Sequence, residues 1–371
     1  MQSSSLLQAL VLSIYITRGV YALPAPSEAR NVTARAPAAS GPTIPLEWEG
    51  IGSIPRIAVP IGSGKTFQMV ADTGSASFWV LSQSAAAQLT PARNGLDPTS
   101  NTVPNSAWDT SYGDGSLKVE GVIAKAPVTF AGQTSPDLPV GVVNSPGVFP
   151  SVTFLKVPYD GVFGFRPGTG PDADTKITTP FRAMVASKKI APITGWKYPT
   201  SSSKGEITLG WVNPADFKAG TQVEVTSGST EMWTATISSI KVADRVVQLA
   251  QPEVTALLDT GTFILRVPPT ESIPLLSLIP GFQNLRGKMT IPCDMNAVVS
   301  FTIGGKVLTV QGSDLVGAPV SGAKCKPAVE EDASLDAGGW ILGSTILHNW
   351  HLVFDETTTD TPKIQIAQAS A

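Results

Sequence analysis

Cysteine and histidine are scarce: the 371-residue chain has two of each. That leaves too little thiolate and imidazole for a zinc site or a disulfide-dense scaffold. Charge is scarce too. Asp, Glu, Lys and Arg make up 15% of the residues, against about 25% in an average soluble domain. The 26 basic residues face 29 acidic ones, a net charge of −3, which excludes the basic footprint of a nucleic-acid-binding protein. Long apolar runs are missing as well. The most extended, Leu6 to Ile16, holds eleven residues, too short to span a bilayer as a helix and the right length for the apolar part of a signal peptide. The small Ala22 of Val20-Tyr21-Ala22 suits a cleavage site, although no Lys or Arg precedes the apolar stretch. Residues 1–22 therefore read as a secretion signal, and 23–42, rich in Ala, Pro and Ser, as a short pro-segment or linker. Asn31-Val32-Thr33 is an N-glycosylation acceptor. Secretion is expected, with an acidic vacuole as the alternative destination, and no membrane association once the signal is removed.

Hydrophobic residues make up 42% of the chain, enough for a sizeable core, while 34 Gly and 31 Pro argue against an all-α bundle. From Ile44 onward, short runs rich in Val, Ile, Thr and Phe alternate with Gly, Pro, Asn, Asp and Ser. Such runs begin at Ile54, Phe67, Lys118, Gly205, Val223, Val298, Lys306 and His351. Regular short strands with turn signals predict an all-β chain. Helical periodicity is confined to Thr179–Ser187 and Pro269–Leu278.

The chain also resembles itself. Phe67 to Ser75 (FQMVADTGS) recurs in outline as Val254 to Thr262 (VTALLDTGT), with the two aspartates 187 residues apart. Each copy is followed by an apolar pair ending in Gly: Val162-Phe163-Gly164, 92 residues after Asp72, and Ile341-Leu342-Gly343, 84 residues after Asp259. Two lobes of common design follow, at 43–215 and 216–371. A lone Asp-Thr-Gly is an ordinary turn. Two copies, each behind an apolar strand and ahead of a hydroxyl residue, place two carboxylates at loop tips. Brought face to face in a dry cleft, Asp72 and Asp259 would share one proton. Such a pair can deprotonate a water while protonating a carbonyl oxygen, with neither metal nor cofactor.

The ordered series Asp72-Thr73-Gly74-Ser75, Phe78-Trp79-Val80, Tyr112-Gly113-Asp114-Gly115-Ser116, Asp160 to Phe165, Asp259-Thr260-Gly261-Thr262 and Ile341-Leu342-Gly343 with Val353-Phe354-Asp355 resembles pepsin-like aspartic endopeptidases of the secreted fungal type. The resemblance runs from about Ile44 to the C-terminus. It implies a bilobal fold with the cleft between the lobes, catalysis by Asp72 and Asp259, polypeptide substrates, an acidic optimum and a monomer. It further implies that Thr73 and Thr260 lock the two loops, that Ser75 and Thr262 bond the outer carboxylate oxygens, and that Gly74 and Gly261 lie against the substrate. Tyr112, Gly113 and Asp114 would form a flap over the peptide, with Tyr112 reaching toward Trp79 and apolar residues preferred around the scissile bond. Asp114 either meets a substrate Lys or serves only the Asp-Gly turn. Cys293 and Cys325 would form a disulfide.

Three departures stand out. The pro-segment lacks a lysine to block the pair. Phe263 replaces a small hydroxyl residue in the substrate-contacting stretch. Ser344 stands where relatives frequently carry Asp, which predicts a lower upper limb of the pH profile. Gly64-Lys65-Thr66 resembles the end of a phosphate loop, but Val59 occupies the place of its first glycine, so a hairpin turn is expected. His348 and His351 lack a ligand cluster, and no Gly-x-Ser-x-Gly elbow exists. A non-catalytic binding or inhibitor protein on the same fold, and a β-rich cell-wall protein, are the rival readings.

Overall fold

The computed structural model describes residues 40–89, 93–98, 101–112, 117–144, 159–168, 176–358 and 360–370. The secretion signal, Asn31, nearly all of the pro-segment, and Gly113 to Ser116 lie outside the described residues.

The architecture is all-β and bilobal. In the first lobe, seven strands pair in the order Arg56–Pro60, Thr66–Asp72, Gly161–Gly164, Phe78–Leu81, Gln133–Val143, Leu117–Phe130 and Trp108–Tyr112. The outer strand Arg56–Pro60 buries Ile57 and Val59 and exposes Ala58 and Pro60, the period-2 signature of a sheet wet on one face. Thr66–Asp72 begins with the same alternation and ends fully buried at Met69 to Asp72, because its last residues gain a parallel partner. There Met69 pairs with Gly161 and Asp72 with Gly164. The hairpin turn expected at Gly64-Lys65-Thr66 forms between these two strands, which meet again with Pro60 opposite Thr66.

The second lobe repeats the plan. Val254–Leu258 lies between Thr234–Val242 and Gly339–Leu342, running parallel to the latter with Leu258 opposite Leu342. The self-similarity of the sequence is thus a shared arrangement in space: a strand that leads into the aspartate, flanked in parallel by a strand that reaches Gly164 in one lobe and stops just before Gly343 in the other. A six-stranded sheet joins the lobes in the order Thr43–Leu46, Gly205–Leu209, Ile193–Lys197, Trp350–Asp355, Lys363–Gln368 and Val223–Thr226. At its centre Leu352 pairs with Trp196 and Asp355 with Ile193.

Cys293 and Cys325 form a disulfide, closing a loop of separation 32 beside the strands Lys288–Pro292 and Lys324–Pro327. A loop of that length stabilises by about 3–4 kcal/mol in the chain-entropy account. Both expected helices form, at Pro180–Ala186 and Pro269–Leu276. The first has Pro180 at its opening position, and the Thr179 hydroxyl accepts the Arg182 N–H at 3.3 Å. Two further helices, Gln83–Ala87 and Ser344–Leu347, are too short to show a period.

One corner of the shared sheet is expected to make stability depend on pH. Glu206 pairs in register with Lys197, and Lys197 Nζ lies 3.4 Å from Asp216 Oδ1. Burial, and then the neighbouring Glu206, push the Asp216 carboxyl up to about 7. A carboxyl raised on folding stabilises fully below its unfolded value of about 3.9, and that contribution is lost as pH rises through the folded value. The melting temperature should therefore fall between pH 4 and 7, and Asp216→Asn should reduce the fall by about 2–4 °C. Calorimetry across that range checks this; identical slopes for parent and variant would refute it.

Candidate active site

The two Asp-Thr-Gly turns meet at the interface between the lobes. Thr66–Asp72 and Val254–Leu258 deliver them there, and in each loop the glycine N–H reaches the carboxylate two residues earlier while its bare Cα makes room for the carboxyl of the other loop. Gly74 donates to Asp72 Oδ1 at 2.8 Å, and Gly261 donates to Asp259 Oδ1 at 2.8 Å. The outer oxygens are held by hydroxyls. Ser75 donates to Asp72 Oδ2, and Thr262 to Asp259 Oδ2 at 2.6 Å.

The threonines cross over. Thr73 Oγ1 donates to the Leu258 carbonyl at 2.7 Å and accepts the Thr260 N–H at 3.0 Å. Thr260 Oγ1 donates to the Ala71 carbonyl at 2.7 Å and accepts the Thr73 N–H at 3.0 Å. All four partners are buried, so each bond satisfies a group that would otherwise be stranded. Together they fix one loop against the other with no freedom to slide.

Asp72 and Asp259 are fully buried and face each other, the glycine of each loop lying against the other loop's carboxyl. Burial raises the Asp72 carboxyl well above the usual carboxylate range, and the charge of Asp259 raises it further, against the opposing bonds from Ser75 and Gly74. Burial raises Asp259 too, but the Thr262 hydroxyl and the bond from Asp72 pull it back. Both carboxyls are thus held above the usual carboxylate range, Asp72 the more strongly.

Trp79 and Tyr112 stand together. Trp79 lies on Phe78–Leu81 and Tyr112 at the end of Trp108–Tyr112, both buried, and the indole N–H donates to the phenol oxygen. Their rings lie 6.4 Å apart. Phe263, half-buried, packs against the first-lobe cluster that contains both. Gly113 and Asp114, expected beside Tyr112 in the flap, lie outside the described residues.

Ser344, expected from the sequence to bear on the pH profile, lies against the second loop, and Tyr198, which was not expected here, stands beside it. Ser344 Oγ donates to the Thr260 carbonyl at 3.0 Å and lies 3.1 Å from the Tyr198 phenol oxygen. Ser344 was visible in the sequence only as a departure from relatives; nothing near Tyr198 signals a contact 146 residues away.

The family model described as eukaryotic aspartyl protease matches residues 56–369. The chain is 26% identical over 306 residues to a probable aspartic-type endopeptidase CTSD of Arthroderma benhamiae, covering 80% of this chain and 58% of that one. It is 27% identical over 333 residues to the aspartic-type endopeptidase ctsD of Aspergillus fumigatus, covering 85% and 67%. With cathepsin D of Gallus gallus it shares 27% identity over 326 residues, covering 82% and 76%. The chain thus spans less than two thirds of the first of these relatives.

Proposed function

Because the chain belongs to the eukaryotic aspartyl protease family, we propose that it is an aspartic endopeptidase that cleaves polypeptides with Asp72 and Asp259. One observation carries the reading: two fully buried carboxyls brought face to face, each gripped by its own glycine N–H and hydroxyl. Buried carboxyls in such contact favour the singly protonated state over two charges.

In this scheme ionised Asp259 takes a proton from an attacking water. Asp72 gives its proton to the oxygen of the scissile carbonyl, and a tetrahedral diol results. Asp259 then passes its proton to the amide nitrogen while Asp72 takes one from a diol hydroxyl, so the C–N bond breaks, the carboxylic acid and amine leave, and the pair is restored. The bonds to Gly74, Ser75, Gly261 and Thr262 keep both carboxyls from reorienting as charge moves between them. The apolar cluster of Trp79, Tyr112 and Phe263 supports a preference for apolar side chains beside the scissile bond. The disulfide suits an oxidising destination, outside the cell or in an acidic vacuole. Among the described residues no helix is long and apolar enough to cross a membrane.

The test is cleavage of a denatured protein and of matched peptides across the pH range, with and without pepstatin. A bell-shaped kcat/KM is expected. Its acidic limb is set by the first ionisation of the pair and its upper limb by the second. Because both carboxyls are raised and Asp72 more strongly, the upper limb should lie well above pH 3.8. Absence of pepstatin-sensitive cleavage at any pH would favour the binding-protein reading.

A further inference from the structure

Behind Asp259 runs a line of hydrogen bonds whose direction follows from counting protons. The Thr260 carbonyl can only accept, so the bond from Ser344 Oγ at 3.0 Å uses the single hydroxyl proton of that serine. The second contact of Ser344, 3.1 Å to the Tyr198 phenol oxygen, must then be donated by the tyrosine. Thr260 C=O and Gly261 N–H belong to one peptide group, and that N–H donates to Asp259 Oδ1 at 2.8 Å. The sequence of donors is Tyr198 O–H, Ser344 O–H, the Thr260–Gly261 peptide, and finally the carboxylate. Tyr198, Ser344, Thr260 and Asp259 are all buried, so solvent does not substitute for any link.

We propose that Tyr198 is a positioning residue for Asp259, acting through Ser344 and the Thr260–Gly261 peptide to strengthen the hydrogen bond on the inner oxygen of the ionised carboxylate. This rests on the dyad reading above. Donation to a peptide oxygen polarises its N–H, so each link reinforces the next in a buried chain. Burial, and the charge of Asp259, raise the Tyr198 phenol beyond its ordinary range, which keeps it a donor wherever the enzyme works. Among the described residues the first lobe has no counterpart. Gly164 and Gly343 are equivalent by strand register, and the next residue is Phe165 in one lobe and Ser344 in the other. The relay therefore favours charge on Asp259 alone.

The other titratable groups facing this line are Asp72 across the pair and His348. The His348 ring lies 6.4 Å from that of Tyr198, and its Nε2 is 3.3 Å from Asp314 Oδ2. Tyr198→Phe leaves all of these in place, along with the edge contact of the Tyr198 ring on Trp48 at 5.5 Å. It removes one hydroxyl.

The experiment is the pH profile of kcat/KM for parent, Tyr198→Phe, Ser344→Ala and the double variant. A less stabilised carboxylate holds its proton to higher pH. The acidic limb should move up by about 0.2–0.5 pH unit in Tyr198→Phe. The double variant should match Ser344→Ala, since the relay is already cut there. A purely structural tyrosine would lower the melting temperature or scale the whole profile without moving the limb. An acidic limb within about 0.1 unit of the parent in Tyr198→Phe overturns the relay, whether or not Ser344→Ala folds. A parent that shows no bell-shaped, pepstatin-sensitive cleavage would instead overturn the dyad reading, and the relay with it.

Discussion

Asp72→Asn and Asp259→Asn are each expected to lower kcat/KM by about a thousandfold or more while leaving the melting temperature near that of the parent. An asparagine keeps an oxygen to accept the N–H of Gly74 or Gly261, so the loop geometry survives. It cannot ionise and cannot give up a proton under working conditions. One half of the proton exchange is then missing, whichever residue is changed. Because the pair acts as a unit, the double variant should be scarcely worse than either single one. Activity within tenfold of the parent in either variant would remove both residues from the chemistry.

The second large effect concerns the glycines. A Cβ at Gly261 would fall inside the Asp72 carboxyl, 2.5 Å from its Cγ, and one at Gly74 would lie 2.6 Å from Cγ of Asp259. Neither carboxyl has room to retreat, since each is held on both oxygens in a fully buried site. Gly74→Ala and Gly261→Ala should therefore force the pair apart. The expected cost is about 1–3 kcal/mol in stability for the overpacking. A displacement on the order of 1 Å should take about a hundredfold from kcat/KM. Thermal unfolding and peptide kinetics measure the two separately, and variants within threefold of parent activity would show that the loops yield.

Much of this site was legible because its information is local. Each Asp-Thr-Gly sits at the end of an apolar strand, and both the strand and the glycine turn are written within nine residues. Alternation marked Arg56–Pro60 and Val299–Ile303 just as clearly. Where structure depends on distant partners the sequence is silent. Gln133–Val143 carries Pro136 and Pro139 and reads as a loop, yet it forms an eleven-residue strand. The prolines are tolerated because Phe78–Leu81 pairs only with Gly141–Val143, leaving the proline stretch without a neighbour on that side. The sheet joining the lobes and the Tyr198–Ser344 contact are invisible for the same reason: no local pattern encodes a partner more than a hundred residues away.

The crossed threonines have a geometric consequence. Thr73 does to the second loop what Thr260 does to the first, so the core of the site has an approximate two-fold axis between them. A peptide has no such axis; it runs from amino to carboxyl end. Laid across a symmetric cradle, it would meet the same backbone groups in either direction, with nothing to choose between the two poses. Direction must come from what breaks the symmetry: Ser75 against Thr262, Phe165 against Ser344, the stronger upward shift of Asp72 than of Asp259, and Tyr112 beside Trp79 in the first lobe. In the proposed endopeptidase, the residues that spoil the repeat would tell one end of a bound peptide from the other.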